Sequence, residues 1–104
     1  MSRQGGIMNK YVIIRGRDSG VHAGELESVD YATKSCVLAN ARRIWYWSGA
    51  ATLSELAMHG AKNPKECKFC VLVPRQEIVG DVCEVIECSL AGEKMIRSQP
   101  EWRA

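Results

Sequence analysis

The sequence predicts an α+β domain: a bent antiparallel sheet or partial β-barrel of five to six strands, with one short helix at about 52–59 and a weak C-terminal helix. Three observations predict it. Tyr11-Val12-Ile13-Ile14-Arg15 is a β-branched run of the kind buried on both faces of a sheet. The segments that follow are short and separated by Gly- and Asp-bearing turns, which favours a meander of antiparallel strands. Thr52-Leu53-Ser54-Glu55 is a capping box, the clearest helix start in the chain.

Taken in order, residues 1–10 are polar, Gly-bearing and without periodicity, and read as a flexible leader before a single domain at 11–104. The run from Tyr11 is expected to be a central strand. Residues 16–20 carry Arg17-Asp18-Ser19-Gly20, turn chemistry in which glycine supplies positive φ and aspartate bonds nearby backbone. Residues 21–29 read as a second strand whose imperfect alternation places it near an edge. After a polar turn, a third strand starts at Ser35 and enters ARRIWYWSGAATLSELAMHG at 41–60, the stretch around which the chain is organised. A period of two puts Arg43, Trp45 and Trp47 on one face and Arg42, Ile44 and Tyr46 on the other, unless Asn40 marks a bulge and inverts the parity beyond it.

Ser48-Gly49-Ala50-Ala51 is a small-residue corner. The helix then begins at Thr52, with Gly60 as its C′ residue. A helix of about two turns is marginal alone and has to pack onto the sheet, through Leu53, Leu56 and Met58. Pro64 breaks the chain again, residues 67–73 read as a fourth strand closed by Pro74, and residues 76–88 as one or two more, broken at Gly80-Asp81. Ser89 caps the last helix, with Leu90, Ala91, Met95 and Ile96 facing inward; Gly92 weakens it by about 1 kcal/mol relative to alanine. The aromatic of Pro100-Glu101-Trp102 is expected to dock on the domain.

Composition narrows the function classes. The chain has 104 residues, one domain's worth, with 14 basic and 12 acidic side chains interspersed for a net charge of +2. No basic stripe points to strong nucleic-acid binding. No apolar run reaches the ~18 residues of a membrane span, so a soluble cytoplasmic protein is expected. Five cysteines at spacings that fit no disulfide framework read as free thiols. Cys67, Cys70, Cys83 and Cys88 make an imperfect zinc pattern, because strand geometry sends their side chains apart, and they read instead as small buried hydrophobes. His22 and His59 offer no local arrangement that activates a thiol. No phosphate loop, dinucleotide fingerprint or metalloprotease motif is present, so neither a cofactor nor an enzymatic activity is expected.

What remains is binding chemistry. Arginines fork onto phosphate or carboxylate oxygens, and tryptophan faces stack on bases. Arg15, Arg42 and Arg43 are the candidate phosphate holders, Trp45 and Trp47 the candidate stacking rings, and Ser19, His22 and Lys65 the candidate polar rim. The turn at 16–20 is also a candidate anion-holding nest. The bland alternative puts a tryptophan in the core and pairs the arginines with Glu25, Glu27 or Glu55.

The segments YVIIR, SGVHAGELES, NARRIWYWSGAATLSELAMHG and NPKECKF, with the closing PEW, resemble a family of small phage and prophage proteins without assigned activity. In that family the first turn is closer to TYSAG, and a proline often stands where this chain has Cys70, which argues further against a metal ligand there. Size and β-rich pattern are similar in kind to phage anti-defence sponges, which sequester nucleotide signals of bacterial immunity. That resemblance implies a non-enzymatic protein of the host cytoplasm that binds a small phosphorylated nucleotide, and the exposed strand edges favour a homo-oligomer. The alternative expectation is direct inhibition of a host protein through a protein interface.

Overall fold

The computed structural model describes residues 9–104, so most of the expected leader lies outside the described residues. Asn9 and Lys10 are tied to the domain by backbone hydrogen bonds with Leu26. The elements are β1 (Tyr11–Gly16), β2 (Val21–Asp30), β3 (Ser35–Tyr46), α1 (Leu53–His59), a 3₁₀ turn (Pro64–Glu66), β4 (Lys68–Phe69), β5 (Val73–Ile78), β6 (Val82–Glu87) and α2 (Leu90–Ser98). They build an α+β fold around one antiparallel six-stranded sheet in the order β4-β3-β2-β1-β6, with β5 also paired to β3.

β5 and β6 sit at opposite ends of this order, yet only residues 79–81 join them. The sheet must therefore curl. Asp81 shows the result: its amide donates to the Lys34 carbonyl beyond β2, while its own carbonyl accepts the Arg17 amide beyond β1. The curl stops short of a closed barrel, since β5 and β6 do not pair. Its concave side holds one core cluster, Val12, Ile14, Leu26, Val29, Cys36, Leu38, Ala41, Ile78 and Val82. The convex side holds a second, in which Tyr11, Ile13, Ala23 and Ile44 pack against Leu56 and Ala57 of α1, Ile96 of α2, and Phe69. A sheet buried on both faces explains the continuous apolar run of β1, which lies between β2 and β6.

β2 is central, not near an edge as its alternation implies. Two bulges disturb its pattern. The register with β3 slips between Ala23 and Glu25 and again between Leu26 and Ser28. At the first slip Asn40 takes φ 49°, a left-handed conformation that asparagine tolerates, while Gly24 faces Ala41 so closely that a Cβ would meet it at 3.1 Å. The extra residue inverts the parity of β3. Cys36 and Leu38 point into the curl before the bulge and Ala41 after it, so Arg42 and Ile44 turn to the helix side.

The expected fourth strand is cut short. Its first two residues pair with the far end of β3, and β5 then pairs with the near half, from Cys36 to Ala41. Pro74 lies inside β5 rather than ending a strand; an edge strand tolerates its missing N–H.

Both helix starts follow their caps. Thr52 Oγ1 accepts the Glu55 amide at 3.1 Å, but the Glu55 carboxylate reaches back to the Ala51 amide rather than to that of Thr52. Gly60, at φ 75°, ends α1. Ser89 caps α2 by accepting the Gly92 amide at 3.1 Å. The buried face of α2 differs from the expected one: Leu90 is 85% exposed and Ala91 is also outside, whereas Gly92 and Ile96 are buried. Gly92 sets this rotation by letting α2 lie directly on α1. A Cβ there would fall within 1.8 Å of the Ala57 carbonyl oxygen. Gly92→Ala is therefore expected to destabilise the domain by about 1–3 kcal/mol through overpacking, although alanine is the better helix former; a urea midpoint equal to or above that of the parent would show that the helices separate without cost.

Candidate functional site

Adjacent residues of a strand face opposite ways, and Arg42 and Arg43 accordingly meet different fates. Arg42 is 2% exposed on the helix side. Its Nε donates to Cys70 O, Nη1 to Ile96 O and Gln99 O at 2.9 Å each, and Nη2 to Phe69 O and, at 3.5 Å, to Pro100 O. All five guanidinium N–H groups are directed at backbone carbonyls, and the group also lies 5.8 Å from the Phe69 ring centroid. Burial draws its pKa down, yet a guanidinium stays charged at any physiological pH. The sequence reading offers Arg42 as a phosphate holder; the structure instead makes it a tie between β4, the end of α2 and the C-terminal residues, with no donor left for a ligand.

Arg43 faces the other way and is exposed. Its guanidinium has neither a hydrogen bond nor an ion pair among the described residues, and it lines a hollow of about 480 Å³ between the β1–β2 turn and the end of β3. Asp18, Ser19, Trp45 and Trp47 line the same hollow. Trp47 stands just beyond β3, half-buried against the helix-side core, its Nε1 donating to Ala50 O at 3.2 Å. Trp45 is 63% exposed. Its ring is parallel to that of Trp102 within 4°, with centroids 6.5 Å apart. The aromatic near the C-terminus thus docks, and Trp102 N donating to Phe69 O at 2.8 Å holds it there.

From the wall of this hollow runs a partly buried polar chain centred on His22, which is fully buried. Gln76 Nε2 lies 3.2 Å from His22 Nδ1, and His22 Nε2 lies 3.2 Å from Ser19 Oγ. Ser19 Oγ donates to Asp81 Oδ2 at 2.7 Å. An amide N–H can only donate, so Nδ1 of His22 accepts, Nε2 carries the proton, and every link is satisfied by a neutral imidazole. Burial is the main force holding the His22 pKa below 6.5, and the charge of Arg43 adds to it. The turn at 16–20 does hold an anion, and that anion is internal: the Asp18 and Ser19 amides each donate to the Asp81 carboxylate at 2.9 Å. These bonds, with the Ser19 hydroxyl foremost, pull the Asp81 pKa below its ordinary value. Gly16 is required here, because a Cβ would come within 2.3 Å of both the Asp81 carboxylate and Ser19 Oγ.

The structure thus brings Ser19, Arg43, Trp45 and Trp47 together, with His22 directly below. Arg15 is elsewhere, paired to Glu84 at 2.8 Å. Lys65 lines a second hollow of about 260 Å³ with Trp102 and Pro100. Glu25 pairs with Arg97 rather than with Arg42 or Arg43. Asp18, Gln76 and Asp81 are residues near the site that sequence reasoning did not offer, and Trp102 was expected to dock but not at the site; the turn chemistry of Asp18 and the aromatic of the closing PEW were the visible signals. Elsewhere the ionisable groups are accounted for by packing. Burial pushes the thiols of Cys36 and Cys88 up to about 11 and about 12, the reverse of an activated nucleophile. Among the described residues no three His, Cys, Asp or Glu side chains gather as a metal site, and no helix is long and apolar enough to cross a membrane.

A family model described as a domain of unknown function matches residues 9–96, which takes in the whole sheet, the lining of the larger hollow and most of α2. The chain belongs to the DUF6948 family. No curated protein matches it. The family match ends before Gln99, so the segment carrying Trp102 lies outside the matched part of this DUF6948 chain.

Two predictions follow from the charges of this DUF6948 domain. Arg42→Met keeps the stem but takes the guanidinium from five carbonyls, of which Phe69 O keeps the Trp102 amide and Ile96 O that of Gln99, and is expected to cost about 3 kcal/mol or more in chemical denaturation; an unchanged midpoint would mean that water replaces the guanidinium. His22 is a base whose folded pKa lies below its unfolded one, so the unfolded chain takes up the proton first as pH falls. Stability is therefore full above 6.5 and declines as pH drops from there towards the folded value. An NMR titration should place the ring below 6.5, and Arg43→Ala should raise it; a ring titrating above 6.5 would contradict the neutral chain.

Proposed function

We propose that this protein binds a small phosphorylated nucleotide in the hollow between the β1–β2 turn and Trp45. The observation that carries the proposal is the placement of an unpaired cation, Arg43, on the same hollow as the exposed face of Trp45. A guanidinium forks onto phosphate oxygens, and an exposed indole offers a stacking face to any base. Asp18, on the opposite side of the hollow, is an acceptor for ribose hydroxyls or base amino groups.

Binding without turnover fits the wiring of the polar groups. In a serine nucleophile the hydroxyl gives its proton to an imidazole. Here Ser19 gives it to Asp81, and the Ser19-facing nitrogen of His22 already bears a proton. In line with the phage resemblance, the role proposed is that of an anti-defence accessory: a sponge in the host cytoplasm that retains a nucleotide signal, self-associating through its unpaired strand edges.

A second reading has its own observation. Tyr46, Val71 and Leu72 are each about half exposed, and contiguous exposed apolar side chains mark protein-binding surfaces. On that reading the partner is a host protein and the hollow is incidental.

Native mass spectrometry of the protein purified from bacteria, together with calorimetric titration of 5′-AMP as a probe, separates the two. The nucleotide reading expects Arg43→Ala and Trp45→Ala each to weaken binding by about tenfold or more without loss of fold. Unchanged binding in both variants would remove the hollow from consideration. Loss of a captured host protein in a Val71/Leu72 double alanine variant, with Arg43→Ala silent, would favour the second reading.

A further inference from the structure

The two hollows meet at a pair of parallel indoles. Trp45 lines the larger, where Arg43 stands with Asp18; Trp102 lines the smaller, where Lys65 stands with Glu101, whose carboxylate is already engaged by the Leu72 amide and Arg103. The rings are 6.5 Å apart and within 4° of parallel, so the stations are neighbours with a common orientation. A third cation stands at the junction: Lys68 Nζ lies 5.3 Å from the Trp102 ring centroid, on an exposed side chain. An ammonium resting on an aromatic face is held weakly and is able to move to a phosphate when one is present.

Resting on the nucleotide reading above, we infer that the site is bipartite and takes a ligand with two bases bridged by phosphate. One base stacks at Trp45 with Arg43 on its phosphate, the second stacks at Trp102 with Lys65 beside it, and Lys68 faces the bridging phosphate. A mononucleotide fills only half of this surface. The arrangement depends on the C-terminal segment being docked, and three contacts dock it. Arg42 donates to the Gln99 and Pro100 carbonyls, the Leu72 amide donates to the Glu101 carboxylate at 3.1 Å, and the Trp102 amide donates to Phe69 O. A segment that served only to end α2 would not need to carry its ring back to β3.

The chemistry is shared by a free dinucleotide and by the end of a single-stranded nucleic acid. Calorimetric titration of the full chain with 5′-AMP, the dinucleotide pApA and an adenine octanucleotide tells them apart. The inference expects pApA to bind at least about tenfold more tightly than 5′-AMP, one base stack being worth that much or more. An octanucleotide no tighter than pApA identifies a free two-base ligand, and a progressively tighter one identifies a strand end. Trp102→Ala should weaken pApA by more than it weakens 5′-AMP and so remove the gain of the dinucleotide, Trp102→Phe should restore most of that gain, and Lys65→Ala should reduce it in a chain whose C-terminal segment is intact. If pApA binds no better than 5′-AMP, while 5′-AMP still depends on Arg43 and Trp45, the two-base ligand is wrong and the nucleotide site stands. If neither probe binds, both fall.

Discussion

One guanidinium holds the domain's parts in register. Arg42 projects from the middle of the sheet and collects carbonyls from three pieces of chain: β4 with the residue after it, the last turn of α2 and the residues that follow that helix. The last carbonyls of a helix have no intrahelical partner and form the negative end of its dipole. A charged, planar donor with five N–H groups answers both needs at once, and a lysine could not reproduce the fork. Because β4 is only two residues long, it cannot hold the β3 edge by its own ladder. Its place is fixed largely from beneath, by Arg42 and by Phe69 in the helix-side core.

The curled side of the sheet is finished by different means. Apolar side chains fill the concave interior as far as Ala41 and Ile78, and beyond them the curl opens. There the chain supplies Gln76, His22, Ser19 and Asp81, linked end to end. A partly buried polar network is stable only if its members are satisfied; here the Gln76 amide presents its Nε2 donor at one end and the Asp81 carboxylate accepts at the other. With the amide in that orientation, the direction of the chain follows. The price of that order is a histidine that must stay neutral, which the nearby Arg43 helps to enforce. The same arginine that faces the hollow thus tunes the group beneath it, so occupancy of the hollow by an anion and protonation of His22 are electrostatically coupled.

Much of this was legible locally, and the rest was not, for a physical reason. Caps were readable because they involve residues within four positions of one another: Thr52 with Glu55, Ser89 with Gly92, Gly60 with Leu56. The parity switch at Asn40 was visible as an alternative, since asparagine is among the few residues that tolerate positive φ. What stayed hidden depends on long-range partners. Nothing near Arg42 in sequence reveals five acceptors lying 27 to 58 residues away. Leu90 looks like a core residue until Gly92 sets the roll of α2 on Ala57, and the nest at 16–20 looks open until Asp81 arrives from the other end of the curl to fill it. The irregular alternation of β2 was misread as an edge because bulges and edges disturb period two in the same way.

The internal occupation of that nest bears on what the hollow can hold. Had the turn's amides been free, they would have added to Arg43 and favoured a heavily charged ligand. With Asp81 drawing on them from outside the hollow, and Asp18 placing a carboxylate on the wall that Arg43 shares, the charges lining it among the described residues are balanced. Affinity there has to come mainly from contact with the indoles of Trp45 and Trp47, with the guanidinium fixing orientation more than strength. Stacking is insensitive to salt, whereas binding dominated by several phosphate contacts falls steeply with it. On the nucleotide reading proposed above, a hollow built this way would favour a flat aromatic body carrying modest charge over the polyanionic surface of duplex nucleic acid, in keeping with interspersed charges and a net of only +2.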